Sequence, residues 1–136
     1  MQATPAGDRL FQVRPPTEAT FLSEEQARVF HHMTAQLLFL SRVSRDIQTT
    51  VAFLTMRVKC PDNDDWGKLQ RVLKYLHSSR YLKLTLFAES LSNIVWYVDA
   101  SHQLHGDCKG HTGSILTFGQ GATTSSSTKQ KLRPKA

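Results

Sequence analysis

The hydrophobic period of this 136-residue chain changes once, and that change limits the folds it can adopt. Before Ser78-Ser79, apolar residues recur every three or four positions, which is typical of amphipathic helices. After this point, short runs of β-branched and aromatic residues are separated by turn residues, which is typical of strands. The pattern predicts an α+β fold in which a small three-helix bundle precedes an antiparallel sheet.

Three segments carry helix signals. Ser23 and Gln26 form a capping-box pair that begins the first helix, which should end near Arg42. Asp46 is placed to cap a second helix, and Asp62 a third one after Pro61 has ended the second. The apolar stripes of these helices should form the core: Ala27, Phe30, Thr34, Leu37, Leu38, Ser41; Ile47, Val51, Leu54, Val58; Trp66, Leu69, Val72, Leu73, Leu76.

Four segments carry strand signals, namely 81–86, 94–99, 114–118 and 122–128. The Ser/Thr-rich run 123–128 is equally compatible with a flexible tail, because threonine favours strands and serine favours loops. The strand 94–99 ends in Asp99, a carboxylate that needs a partner if it is buried. A turn-capping aspartate is the simpler interpretation of that residue.

The chain carries a net charge of +6, which favours an anionic partner, with nucleic acid before an acidic membrane. Residues 108–136 contain five cations and no acid. Lysines that follow a Ser/Thr-rich segment suit contacts to a phosphate backbone, although a solvated basic tail has the same composition.

Two cysteines, Cys60 and Cys108, suggest no disulfide framework and favour a reducing compartment. Charged residues within the first twenty positions exclude the apolar core of a signal peptide, and no apolar run is long enough to span a bilayer. We therefore expect an intracellular chain, nuclear or cytoplasmic, with no membrane partner.

The segment 102–111 is rich in metal-binding side chains, since His102, His105, Cys108 and His111 recur at every third position. Zinc takes such ligands, but the spacing matches no common zinc motif and one short loop rarely supplies all four. A solvated polar hairpin loop is the favoured interpretation.

Several motifs, taken in order, resemble a known family. The segments 36–40, 45–47, 52–54 and 65–76 resemble the region that follows the palm in copia-type retrotransposon reverse transcriptases. The segments 97–101, 109–113 and 127–131 resemble the opening of the RNase H domain in the same polyprotein. The resemblance extends from about residue 4 to Leu132.

The resemblance implies three regions: an extended linker over 1–20, a helical thumb/connection-like region over 21–79, and a truncated RNase H-like β region over 80–136. Asp99 would correspond to the first catalytic carboxylate, which in the family binds Mg²⁺ together with other acids. Contacts to an RNA–DNA hybrid would come from cations on the third helix and in the β region: Arg71, Lys74, Lys109, Lys129, Lys131.

The sequence lacks acidic residues that the family has at its active sites. No Asp or Glu follows Asp107, and the Tyr-x-Asp-Asp motif of the polymerase is absent. One carboxylate cannot build a two-metal site. We therefore expect a Pol fragment that is inactive alone, binds nucleic acid weakly, binds no Mg²⁺ tightly, and self-associates through an incompletely covered sheet. The alternatives are a co-opted interaction module and a nuclease completed by another chain.

Overall fold

The computed structural model describes residues 3–131, and the chain divides after Leu82 into two compact units. We call residues 3–82 the helical unit and residues 83–131 the sheet unit. Arg133 and Lys135 of the predicted basic tail lie outside the described residues. Helices precede antiparallel sheets along the chain, so the predicted α+β class is confirmed.

The helical unit contains three α-helices and one short 3-10 turn. Helix α1 spans Glu24–Leu40, the turn spans Arg45–Ile47, α2 spans Gln48–Arg57 and α3 spans Asn63–Ser79. The described part of the N-terminal region, residues 3–20, forms turns without a helix or strand.

The capping predictions for α1 and α3 are confirmed. The Ser23 hydroxyl accepts a hydrogen bond from the Gln26 amide, and the Gln26 side chain accepts one from the Ser23 amide. Asp62 and Asp65 form the same reciprocal box at α3. These pairs satisfy backbone N–H groups that have no partner within the helix.

The capping prediction for the second helix is wrong. Helix α2 has Ile47 at its N-cap position and no side-chain cap, because a 3-10 turn precedes it. Asp46 lies inside that turn, and its carboxylate accepts hydrogen bonds from the Ile47 amide and from the Tyr75 hydroxyl on α3. The bond from the hydroxyl raises the pKa of Tyr75, since the neutral phenol is the donor.

The apolar core lies in the helical unit. Its buried hydrophobic members are Leu10, Phe30, Leu37, Ile47, Val51, Phe53, Leu54, Leu69 and Val72. All the predicted stripes contribute to it, but Leu38, which was predicted on the buried face of α1, is half exposed. Leu10, which no helical period identifies, is buried because the N-terminal region packs against the helices.

The sheet unit contains two antiparallel sheets. Strands β2 (Val95–Ser101), β3 (His111–Thr117) and β5 (Thr124–Lys129) form one sheet with β3 in the centre. Strands β1 (Phe87–Ala88) and β4 (Gly119–Gln120) form the second. The Ser/Thr-rich run is therefore a strand, because β3 offers it a paired edge.

The predicted strand over 81–86 is wrong. Residues 82–86 have no strand partner, and pairing in this part of the chain is limited to β1 with β4. Leu82, Leu84 and Leu86 are exposed. Alternation of apolar residues is not sufficient for a strand when no neighbouring backbone completes the hydrogen bonds.

We expect amide hydrogen exchange to differ between the units. Residues 23–78 should be strongly protected, because they surround the apolar core, whereas residues 80–131 should be protected more weakly. The sheet unit contributes no buried hydrophobic residue to the described core, and all seven residues of β2 are exposed. Exchange followed by mass spectrometry on the full chain measures this, and equal strong protection in both units would contradict it.

Candidate nucleic-acid interface

Arg71 and Lys74 lie one turn apart on α3 and line the same groove of the helical unit. The Arg71 side chain donates to the Thr4 hydroxyl at 2.8 Å and to the Thr4 carbonyl at 3.3 Å. Lys74 is exposed. The structure thus brings together two of the predicted nucleic-acid contacts, and the N-terminal region holds one of them in place.

Two further cations line this groove, although sequence reasoning treated their region as a linker. Arg9 and Arg14 lie on the N-terminal wall opposite α3. The signal that identifies them is the short apolar pair Leu10-Phe11 between them. Leu10 is buried and the Phe11 ring packs edge-on against Phe53 at 5.9 Å, so this segment is anchored and its arginines are positioned.

Asp99 lies on β2, where it pairs with Gly113 of β3. Its side chain is exposed, and one carboxylate oxygen accepts a hydrogen bond from the next amide, that of Ala100, at 2.8 Å. Asp99 is the single acid on the strands β2, β3 and β5.

The surroundings of Asp99 do not fit the two-metal site that the resemblance implies. Within residues 3–131, no group of three or more His, Cys, Asp or Glu side chains is arranged to hold a metal ion. Two-metal sites bridge both cations with several carboxylates.

The loop between β2 and β3 forms a packed polar cluster. His105 and His111 are both buried, and His105 Nε2 lies 3.1 Å from His111 Nδ1. His111 Nε2 lies 2.7 Å from the Ser127 hydroxyl of β5. His102 and Cys108 are exposed, so the four candidate zinc ligands are not brought together, and the loop is less solvated than predicted.

Burial sets the charge of the two buried imidazoles. It lowers the pKa of His105 and of His111 below the usual 6.5, because a charged ring is poorly solvated there. Lys129 lowers the pKa of His105 further, and Asp107 opposes it. Both rings are therefore neutral at pH 7, and one donates to the other.

Two lysines of the sheet unit lie beside one carboxylate. Lys129 Nζ lies 2.8 Å and Lys109 Nζ 3.9 Å from Asp107 Oδ2. The hydrogen bond from Lys129 holds the pKa of Asp107 below its usual range. Lys131 is exposed at the end of the described chain. Two of these three cations are thus partly neutralised.

Two of the segments that carry the resemblance meet in this sheet. Gly110 precedes β3, and the amide of Gln130 donates to its carbonyl at 2.9 Å. A Cβ atom on Gly110 would lie 2.4 Å from the Ser101 carbonyl oxygen and 2.5 Å from the Gln130 side-chain oxygen. Only glycine allows the chain to approach so closely, which explains the glycine at position 110.

A transposon Ty5-1 protein of Saccharomyces cerevisiae is 29% identical to this chain over 118 residues. The match covers 86% of this chain and 38% of that protein, so the chain spans well under half the length of this relative. No protein-family model matches the chain. No solved structure matches it either. The similarity supports a transposon-derived origin.

Among the described helices, none has both the length and the apolar character needed to cross a membrane.

We expect the sheet unit to lose stability as the pH falls through 6.5. In the unfolded chain each imidazole takes up a proton near 6.5, whereas the folded pKa values of His105 and His111 lie lower, so unfolding binds protons in this interval. The stabilisation is fully present above 6.5. Exchange of the β3 amides, which pair with β2 and β5, followed by mass spectrometry across a urea series, reports unfolding of the sheet unit.

Two variants test this prediction, namely His111→Gln and its matched control His102→Gln. The first should reduce the difference between urea midpoints at pH 7.5 and pH 5.5, whereas the second changes an exposed histidine of the same loop and should leave the difference intact. Equal urea midpoints at both pH values in the parent chain would contradict the lowered pKa values of His105 and His111.

Proposed function

We propose that this transposon-related chain is a non-catalytic, nucleic-acid-binding segment of a copia-type Pol polyprotein. In this proposal the helical unit corresponds to the thumb/connection region of a reverse transcriptase, and the sheet unit to the first strands of RNase H. The ligand is an RNA–DNA hybrid or a similar duplex, bound weakly. The similarity to a transposon protein over most of the chain supports nucleic acid as the anion.

The observation that carries the proposal is the placement of Arg71 and Lys74 in one positively charged groove. Cations that line a common groove attract a polyanion more strongly than scattered ones, because binding releases the counterions of several phosphates together. Lys109, Lys129 and Lys131 supply a second basic region in the sheet unit. Asp107 offsets part of its charge, so it contributes less to binding.

The proposal assigns no nuclease activity to the chain alone. Asp99 is vestigial here, because its strand neighbours supply no further carboxylate for Mg²⁺. Cleavage of a hybrid that is lost in Asp99→Asn would replace this proposal with a nuclease.

Binding to a labelled RNA–DNA hybrid should be strongly salt-dependent. With at least two phosphate contacts, affinity should fall at least about 10-fold between ~50 mM and ~200 mM salt. Lys74→Gln should reduce the slope of log affinity against log salt by about 1. Fluorescence anisotropy with Mg²⁺ present, followed by electrophoresis of the same samples, measures binding and cleavage together.

Lys59→Gln is the matched control, because Lys59 is an exposed lysine of the helical unit that does not line the groove. It should leave the slope almost unchanged. Binding that does not depend on salt, or equal effects of the two variants, would contradict the proposal.

A second candidate function is an interaction module that pairs with a copy of itself through β2. This strand is an edge of its sheet, and its exposed side chains include Trp96, Tyr97 and Val98. An edge strand presents N–H and C=O groups that can pair with another chain. A two-fold pairing of β2 strands would satisfy these groups.

Val98→Lys should therefore reduce self-association measured by analytical ultracentrifugation. Val43→Lys is a matched control, because Val98 is 63% exposed and Val43 is 64% exposed, and Val43 lies in the helical unit. Edge lysines disfavour strand pairing. A monomeric parent chain at all concentrations, or equal effects of both substitutions, would contradict self-association through β2.

A further inference from the structure

We propose that the groove between the N-terminal region and α3 binds the phosphate backbone of a nucleic-acid duplex, and that Arg9 and Arg14 contact the ligand together with Arg71 and Lys74. This inference rests on the proposed function and deepens it. It adds two contact residues outside the helices, and it states that the protein recognises the ligand through its phosphates. The groove has a volume of about 410 Å³.

Lys68 holds the two walls of the groove together. Its Nζ donates to the Gln12 carbonyl of the N-terminal wall at 2.7 Å and pairs with Asp64 of α3 at 2.8 Å. The same ammonium group lies 4.4 Å from the centre of the Phe53 ring. Because Lys68 is bound on three sides, it has a structural role, and the N-terminal wall is held in place before any ligand arrives.

Arg71 forms the second connection between the walls. Its guanidinium binds Thr4, and a Cβ atom on Gly7 would lie 3.4 Å from Nη1, so the chain passes directly beside the charged group. A guanidinium held in one orientation loses little conformational freedom when it binds phosphate. Arg71 and Lys68 thus both preorganise the groove.

The groove carries a large excess of positive charge. Its lining contains five cations (Arg9, Arg14, Lys68, Arg71 and Lys74) and one acid, Asp64, so the net charge is +4. Asp64 already pairs with Lys68, and its other oxygen lies 3.9 Å from Arg14. Asp64 therefore offsets only one of the five charges, and an extended polyanion matches the remaining excess better than a single small ion.

The lining also indicates how the ligand is recognised. Of the described residues around the groove, none is aromatic. Grooves that bind single strands commonly stack bases on aromatic side chains, whereas contacts to phosphate position a duplex without reading its sequence. We therefore infer a duplex backbone as the ligand, bound with little dependence on base sequence.

Gly67 provides a test that leaves the fold intact. It lines the groove from α3, and a Cβ atom there would meet nothing within 4 Å. A side chain at this position fits sterically, and replacing a helical glycine favours the helix. Gly67→Glu places a negative charge in the groove, whereas Gly67→Gln places a neutral group of the same shape there.

The experiment measures binding of the full chain to two RNA–DNA hybrids of different base composition at several salt concentrations. Gly67→Glu should weaken binding at low salt about fivefold relative to Gly67→Gln, since a unit charge ~4 Å from another in water is worth about 1 kcal/mol. Arg9→Gln and Arg14→Gln should each reduce the salt slope by about 1. The two hybrids should bind within about twofold of each other.

Arg28→Gln is the control for net charge, because Arg28 is exposed on α1 and does not line the groove. If the parent chain binds hybrid but Gly67→Glu matches Gly67→Gln, and Arg9→Gln matches Arg28→Gln, the ligand does not contact the N-terminal wall and this inference fails, whereas the proposed function is judged separately by Lys74→Gln. A strong preference for one hybrid would overturn the phosphate-only recognition. A parent chain that binds no hybrid would overturn both.

Discussion

The helical unit depends on the contact of Arg57 with two buried carboxylates. Arg57 Nε donates to Asp65 at 2.8 Å, and its Nη2 lies 3.6 Å from Asp62. Both acids are 2% exposed, so they need this cation and the capping hydrogen bonds of α3 to offset the loss of water. Because Arg57 ends α2 and the two acids begin α3, the contact sets the direction of α3. The direction of α3 in turn positions the groove.

The two units are stabilised by different kinds of packing. In the helical unit, nine buried apolar residues exclude water, and charged side chains lie around this core. In the sheet unit, the buried side chains are polar ones: His105, His111 and Thr117. Hydrogen bonds contribute less net stability than apolar burial, because water competes for the same groups in the unfolded chain. The sheet unit therefore gains less stability from its buried side chains than the helical unit does.

Local sequence predicted the fold where the determining interactions are local. The caps at Ser23 and Asp62 were predictable because each side chain binds an amide three residues away. The cap at Asp46 was not, because Tyr75, 29 residues later, binds that carboxylate. The strand over 81–86 failed for a related reason: a strand requires a partner, and that segment has none. The Ser/Thr-rich run became a strand because β3 supplies one.

For the candidate site, the sequence alone determined the excess of cations, the single carboxylate of the β2 strand and the helical face that carries Arg71 and Lys74. Only the tertiary structure decided which cations share a surface. Arg9 and Arg14 face α3 because Leu10 and Phe11, which lie between them, pack into the helical core, a contact between segments more than forty residues apart. Likewise, Lys109 and Lys129 share Asp107 only because β3 pairs with β5. Charge is a property of composition, but a binding surface is a property of chain geometry.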